Sequence, residues 1–106
     1  MKNLNKKTLK ILTYAGTFAE NKDVARHLRE RYVFPYLIKG YCIVFDYSGV
    51  ENTTQSFTHA VISESIRKFG PSVIDKFEFK NCNPEVKKII SIVVEYMQGN
   101  MEKPVS

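Results

Sequence analysis

The stretch Tyr41–Tyr47 (YCIVFDY) constrains the fold of this chain more than any other part of the sequence. Its residues are apolar on both faces of an extended strand until Asp46 is reached. A strand of this kind fits the centre of a sheet that is covered by helices on each side. The sequence therefore predicts an α/β domain in which Tyr41–Tyr47 is the central strand.

Upstream of this strand, the sequence predicts one strand and one helix. Lys7–Tyr14 (KTLKILTY) alternates loosely between polar and apolar residues, which favours a strand at an edge of the sheet. Asn21 or Asp23 then caps a helix that runs to about Tyr32. Pro35 is expected to end or kink this helix, because a proline pushes the residue before it away from helical geometry.

Downstream of the central strand, the sequence predicts two helices and one further strand. The first helix runs over Gln55–Phe69 and stops at the pair Gly70–Pro71. A half-buried strand follows at Ile74–Lys80, and Asn83 then caps the last helix. The apolar residues of the Gln55–Phe69 helix spread over a wide arc, so we expect some of them to be left over for a neighbouring helix or a partner. They are Phe57, Val61, Ile62, Ile66 and Phe69.

The order of these elements predicts one small α/β domain over residues 1–106. Parallel strands joined by right-handed helical crossovers are the default when strands and helices alternate. We therefore expect a mainly parallel or mixed sheet of about four strands with three helices, and the length of 106 residues fits one domain. Residues 99–106 are expected to form a flexible tail.

The composition favours a cytoplasmic protein with no membrane-spanning segment. Hydrophobic residues make up 43% of the chain, yet the longest apolar runs are far shorter than a membrane span. The first residues contain lysines and lack the apolar segment of a signal peptide, so we expect none. Cys42 and Cys82 have no metal-like spacing, and two reduced thiols are the simplest interpretation, although a disulfide between them stays open.

Two motifs give the chain a resemblance to a known family. The first runs from Asp46 to Val50 (DYSGV) and continues in Thr53–Phe57 (TTQSF), and the second is Phe79–Val86 (FKNCNPEV). Together they resemble the STAS superfamily of anti-sigma-factor antagonists and sulfate-transporter tails. They are more similar still to a STAS-like family of unknown function, over about Lys7–Met97. This resemblance implies a regulatory or protein-interaction module rather than an enzyme.

The resemblance also implies where a partner docks. In the anti-sigma antagonists the loop after this strand meets regulatory kinases, and its Asp-Ser-Ser-Gly motif contains the serine that is phosphorylated. That motif falls on residues 54–57 here, so Gln55 stands at the phosphorylated position, and Thr54 and Ser56 are the neighbouring candidate phosphoacceptors. The expected partner is a histidine-kinase-like ATPase or another regulator. The expected docking loop comprises Ser48, Gly49, Glu51, Asn52, Thr53, Thr54, Gln55 and Ser56.

Two residues of this region have alternative interpretations. Thr54 is suited to cap the following helix, a role that needs no phosphate. Asp46 ends a strand, where it either orders its own loop through hydrogen bonds or serves as an acid, a base or a Mg²⁺ ligand. The sequence contains no Gly-rich phosphate loop, no His-Glu metal motif and no serine-nucleophile elbow. We therefore expect no catalytic, cofactor-binding or metal-binding residues.

The net charge of +5 supports a second hypothesis, a basic accessory protein that binds nucleic acid. The first predicted helix carries the candidate phosphate contacts. They are Lys22, Arg26, Arg29 and Arg31. No recognised nucleic-acid motif accompanies these residues, and a solvated basic surface is the simpler explanation for each one alone.

Overall fold

The computed structural model describes residues 5–102, which alternate between strands and helices. In chain order the elements are β1 (Lys6–Lys10), α1 (Ile11–Ala15), β2 (Phe18–Ala19), α2 (Lys22–Leu28), a π-helical turn (Arg29–Val33), α3 (Phe34–Ile38), β3 (Cys42–Asp46), β4 (Asn52–Thr53), α4 (Gln55–Phe69), a 3-10 helix (Pro71–Lys76), β5 (Phe77–Lys80) and α5 (Pro84–Glu102). Among these helices, none combines the length and the apolar character that crossing a membrane requires.

The strands form two parallel sheets. Strands β1, β3 and β5 make a three-stranded sheet in that order, so β3 is central and β1 lies at an edge, as the sequence predicts. Strands β2 and β4 pair as a separate two-stranded sheet. The α/β class with parallel strands is thereby confirmed. Strands β2 and β4 have two residues each, which is too short for an alternating pattern to reveal them in the sequence.

The two faces of the main sheet differ in character. One row across the sheet joins Leu9, Phe45 and Phe79, which belong to or pack against the hydrophobic core. The next row lies on the other face and consists of Thr8, Val44 and Glu78, of which Thr8 is exposed and Glu78 is half-exposed. On this second face Val44 itself is 3% exposed and lies outside the main hydrophobic core, so the covering of both faces of β3 by helices stays a prediction. Polar side chains on the neighbouring strands allow this second face to meet water.

The first predicted strand, Lys7–Tyr14, is too long. Strand β1 ends at Lys10, and the chain then forms the short helix α1. Lys10 is in register with Asp46, the last residue of β3, so residues after Lys10 have no neighbouring strand to pair with. Helical hydrogen bonds satisfy their backbone groups instead.

Of the two effects predicted for Pro35, an end of the helix is wrong, because helical structure continues from Lys22 to Ile38, and a kink stays a prediction. The helix begins as predicted, since the Asn21 side chain accepts hydrogen bonds from the backbone N–H groups of residues 23 and 24. A π-helical turn precedes the proline, and the N–H of Phe34 donates to the carbonyl of Arg29. This wider turn accommodates a residue that has no N–H to donate.

The last predicted strand, Ile74–Lys80, is shorter at its start. Residues up to Lys76 form a 3-10 helix, and β5 begins at Phe77. Phe77 is in register with Ile43, the second residue of β3, so an earlier start would leave β5 almost without a partner. The rings of Phe77 and Phe79 lie 5.4 and 5.2 Å from the ring of Phe45, which attaches β5 to the core.

Helix α4 has the predicted bounds, and four of its five named apolar residues are buried within the domain, whereas Phe69 is half-buried. It packs against both α2 and α5, so that apolar side chains on two of its sides are covered. Of the two alternatives that the sequence left open, neighbouring helices rather than a partner therefore cover these side chains. The exposed fractions are 0% for Phe57, 2% for Val61, 0% for Ile62 and 5% for Ile66.

Helix α5 begins as predicted and places an apolar stripe in the core. The Asn83 side chain accepts a hydrogen bond of 2.8 Å from the N–H of Val86. Val86, Ile90 and Val93 are buried against the remaining elements. Of the predicted flexible tail, residues 99–102 continue the helix and residues 103–106 lie outside the described residues.

Candidate partner-binding site at the carboxyl edge of the sheet

The predicted docking loop, residues 48–56, leaves the sheet at Asp46, whose side chain orders the first turn. Asp46 Oδ1 accepts hydrogen bonds from the Ser48 backbone N–H at 3.0 Å and from Asn81 Nδ2 at 2.9 Å. The bond from Asn81, then the bond from Ser48, lowers the pKa of the Asp46 carboxyl below its ordinary value. Asp46 thus takes the loop-ordering role of the two that the sequence left open. Within residues 5–102, no group of three or more acidic, His or Cys side chains could hold a metal ion.

The turn that follows requires a glycine. Gly49 has a φ of 82°, a conformation that other residues adopt only at a cost. A Cβ added to Gly49 would lie 2.8 Å from Leu12 Cδ2, so the backbone also approaches a neighbouring side chain closely. The Val50 N–H donates to the carbonyl of Tyr47 at 3.0 Å and closes the turn. The loop backbone is therefore held in one conformation from its start.

Strand β4 fixes the middle of the loop against β2. The N–H groups of Glu51 and Asn52 both donate to the carbonyl of Thr17, at 2.7 and 3.2 Å. The Thr53 hydroxyl donates to the carbonyl of Ala19 at 2.8 Å, and Thr53 is 4% exposed. Thr53 is consequently a structural residue, although the sequence places it in the docking loop, where its neighbours Glu51 and Asn52 are exposed.

The end of the loop forms the amino terminus of α4. Thr54 Oγ1 accepts a hydrogen bond of 3.1 Å from the Phe57 N–H, which confirms the capping role that the sequence suggests. Thr54 is half-buried, whereas Gln55 and Ser56 are exposed. Of the two candidate phosphoacceptors, Ser56 is therefore the one whose hydroxyl is accessible without releasing the helix cap.

Two asparagines that follow β5 hold the loop from the other side. Asn81, with a φ of 58°, donates to Asp46 as described above. Asn83 Nδ2 donates to the carbonyl of Glu51 at 3.0 Å and lies 3.4 Å from the carbonyl of Val50, while its oxygen caps α5. The two sequence motifs, Asp46–Phe57 and Phe79–Val86, are thus in direct contact. Nothing in the sequence indicated that contact.

Sequence reasoning missed two apolar side chains that flank the loop. Phe18 in β2 is 47% exposed and in register with Asn52 of the loop. Leu12 in α1 is 40% exposed and lies beside Gly49. Ser48 and Gly49 are exposed next to them. This surface, which we call the loop–apolar surface, comprises Leu12, Phe18 and the exposed loop residues Ser48, Gly49, Glu51, Asn52, Gln55 and Ser56.

Comparison with known proteins gives one match. A family model described as a STAS-like domain of unknown function matches residues 24–87, more than half of the chain. The matched region runs from α2 through the docking loop and α4 to the start of α5, so it contains both motifs and the asparagine contacts between them. No curated protein and no solved structure matches the chain significantly.

Proposed function

The chain belongs to the STAS-like domain family of unknown function, and from this premise we propose that it is a non-enzymatic regulatory module that docks a partner protein. The partner binds the loop–apolar surface at the carboxyl edge of the strands. The observation that carries the proposal is the exposure of Phe18 and Leu12, at 47% and 40%, beside a loop that is fixed in position. Large exposed apolar side chains beside a rigid loop are typical of protein–protein contacts.

The rigidity of the loop favours this use. Its backbone forms hydrogen bonds with the Thr17 carbonyl and with the Asn83 side chain. The loop therefore loses little conformational entropy when a partner binds. Apolar side chains in the centre and polar side chains around them are the usual arrangement of such an interface. Phe18 and Leu12 supply apolar side chains here, and the exposed Ser48, Glu51 and Asn52 supply polar ones beside them.

The partner proposed is a histidine-kinase-like ATPase or another regulator, in line with the resemblance to STAS domains. Phosphorylation of Ser56 would place a charged group in the first turn of α4, next to the docking loop. The positive end of the helix dipole would stabilise that group, whereas its charge would weaken an apolar contact. Phosphorylation of Thr54 would act differently, because it would displace the cap that holds Phe57 N–H.

The test is an affinity measurement with matched substitutions of exposed apolar residues. Photo-crosslinking from position 18 in the native host identifies the partner, and calorimetry with the purified partner then measures affinity. Phe18→Ala is expected to weaken binding at least about tenfold, the effect of an interface hot spot. Ile38→Ala is the control, because Ile38 is 67% exposed and precedes the amino end of β3, whereas the docking loop follows its carboxyl end. Equal effects of the two changes, or a loss only on changing the basic helix α2, would refute the proposed surface.

A further inference from the structure

A continuous row of tyrosine and lysine side chains lies along the β1 edge of the main sheet. The rings of Tyr14 and Tyr32 are 5.7 Å apart, and Lys7 Nζ lies 5.5 Å from the Tyr32 ring. The same nitrogen lies 5.1 Å from the ring of Tyr36, which is in turn 4.9 Å from the ring of Tyr41. We call these five residues the tyrosine–lysine row.

The row is assembled from distant parts of the chain. Lys7 belongs to β1, Tyr14 to α1, Tyr32 to the π-helical turn, Tyr36 to α3, and Tyr41 immediately precedes β3. All five side chains are half-buried, so each packs partly on the domain and remains partly accessible. The rings of Tyr36 and Tyr41 meet at 74°, and the lysines that lie over the Tyr36 ring have flexible side chains that can exchange the ring for a phosphate when a base stacks there.

A second lysine lies against the row. Lys39, which immediately follows α3, places its Nζ 5.1 Å from the Tyr36 ring. Because Lys7 and Lys39 both lie against the rings and the whole chain has a net charge of +5, the row favours an anionic ligand.

We propose that the tyrosine–lysine row binds single-stranded nucleic acid, with bases stacked on the tyrosine rings and phosphates bound by Lys7 and Lys39. Successive aromatic rings interspersed with cations are the arrangement that proteins use for unpaired bases. A duplex offers no free base faces to such a row, so the single strand is the form that fits it. This function is independent of the partner docking proposed above, because it needs neither Phe18 nor the docking loop.

The alternative is that the row only shields the edge strand β1. Binding measurements distinguish this structural role from nucleic-acid binding. Fluorescence anisotropy with labelled single-stranded DNA and RNA oligonucleotides of mixed sequence, and with the matched duplex, is measured at low salt. Tyr36→Leu is expected to weaken single-strand binding by about fivefold or more, since one stacked base contributes on that scale. Tyr96→Leu is the matched control, because Tyr96 is 58% exposed on α5, outside the row.

The lysines provide a second readout that does not depend on the packing of a tyrosine. Lys39→Gln is expected to reduce the slope of log affinity against log salt concentration by about one phosphate contact, whereas Lys88→Gln on α5 leaves it unchanged. Circular dichroism checks that each variant is folded, and if Tyr36→Leu is not, Lys39→Gln decides the test alone.

Three results would overturn the proposal. One is the absence of binding to either single strand at low salt, and another is equal weakening by the α5 control substitutions, which would indicate bulk charge alone. The third is binding of polyglutamate that depends on Lys39 and is stronger than the binding of single-stranded nucleic acid. That result would assign the row to an acidic protein partner. Reduced single-strand affinity in Tyr36→Leu and Lys39→Gln, with both controls unchanged, supports it.

Discussion

Asn83 stabilises the protein in two ways that substitutions can separate. It caps α5, and it holds the docking loop. Its side-chain oxygen caps α5 by accepting from the Val86 N–H at 2.8 Å, and its amide nitrogen donates to the carbonyl of Glu51 at 3.0 Å. Replacing an asparagine cap with alanine costs about 1 kcal/mol, and losing the hydrogen bond to the loop costs about 1 kcal/mol more. The distance of 3.4 Å to the carbonyl of Val50 marks a weak contact that adds little. Asn83→Ala should therefore lower the free energy of unfolding by about 2 kcal/mol.

Two further substitutions resolve this sum into its parts. Asn83→Asp keeps the capping oxygen and removes the amide donor, so it should cost about 1 kcal/mol. Asn21→Ala removes a cap whose side-chain hydrogen bonds, within residues 5–102, come from N–H groups at the start of α2, and it should also cost about 1 kcal/mol. Urea unfolding followed by circular dichroism measures all three. If Asn83→Ala and Asn21→Ala lower stability equally, the bond from Asn83 to the loop contributes nothing and the reasoning is wrong.

Two other predictions concern the first turn of the docking loop. Gly49→Ala should destabilise the protein by more than Gly40→Ala, because both positions have a positive φ that costs about 1–2 kcal/mol, but only the Cβ at Gly49 approaches Leu12. Urea unfolding measures both, and equal losses would show that the Leu12 side chain moves aside freely. Asp46 has a lowered pKa in the folded protein, so its stabilising contribution is present above the ordinary carboxyl pKa and is lost as the pH falls through the folded value. The unfolding free energy of Asp46→Asn should therefore fall less than that of the wild type in acid, and parallel pH profiles would contradict the assignment.

The elements that the sequence predicted best are those whose ends are set by local chemistry. Thr54 and the Gly70–Pro71 pair gave both ends of α4, and Asn83 gave the start of α5. A cap acts on backbone groups two or three residues away, so its effect is visible in a short stretch of sequence. The role of Asp46 in ordering its own turn was predictable for the same reason.

The ends of β1 and β5 were not predictable in this way, because the length of their partner determines them. The sequences Lys7–Tyr14 and Ile74–Lys80 are both compatible with longer strands. Strand β3 extends over Cys42–Asp46. Residues of the two neighbouring segments that reach past its ends have no strand to pair with, so their backbone groups form other hydrogen bonds. The π-helical turn before Pro35 is a similar case, in which a rearranged hydrogen-bond pattern overcomes a local preference.

The sequence by itself thus determined the α/β class, the central strand, the caps and the position of the loop 48–56 after β3. Tertiary structure alone decided which surfaces remain available around that loop. Helices α2 and α5 cover the apolar residues of α4 that the sequence suggested for a partner, whereas Phe18 and Leu12, which no pattern distinguished, stay exposed. The physical reason is that a cap depends on its nearest neighbours along the chain, whereas exposure depends on which distant elements pack against a residue.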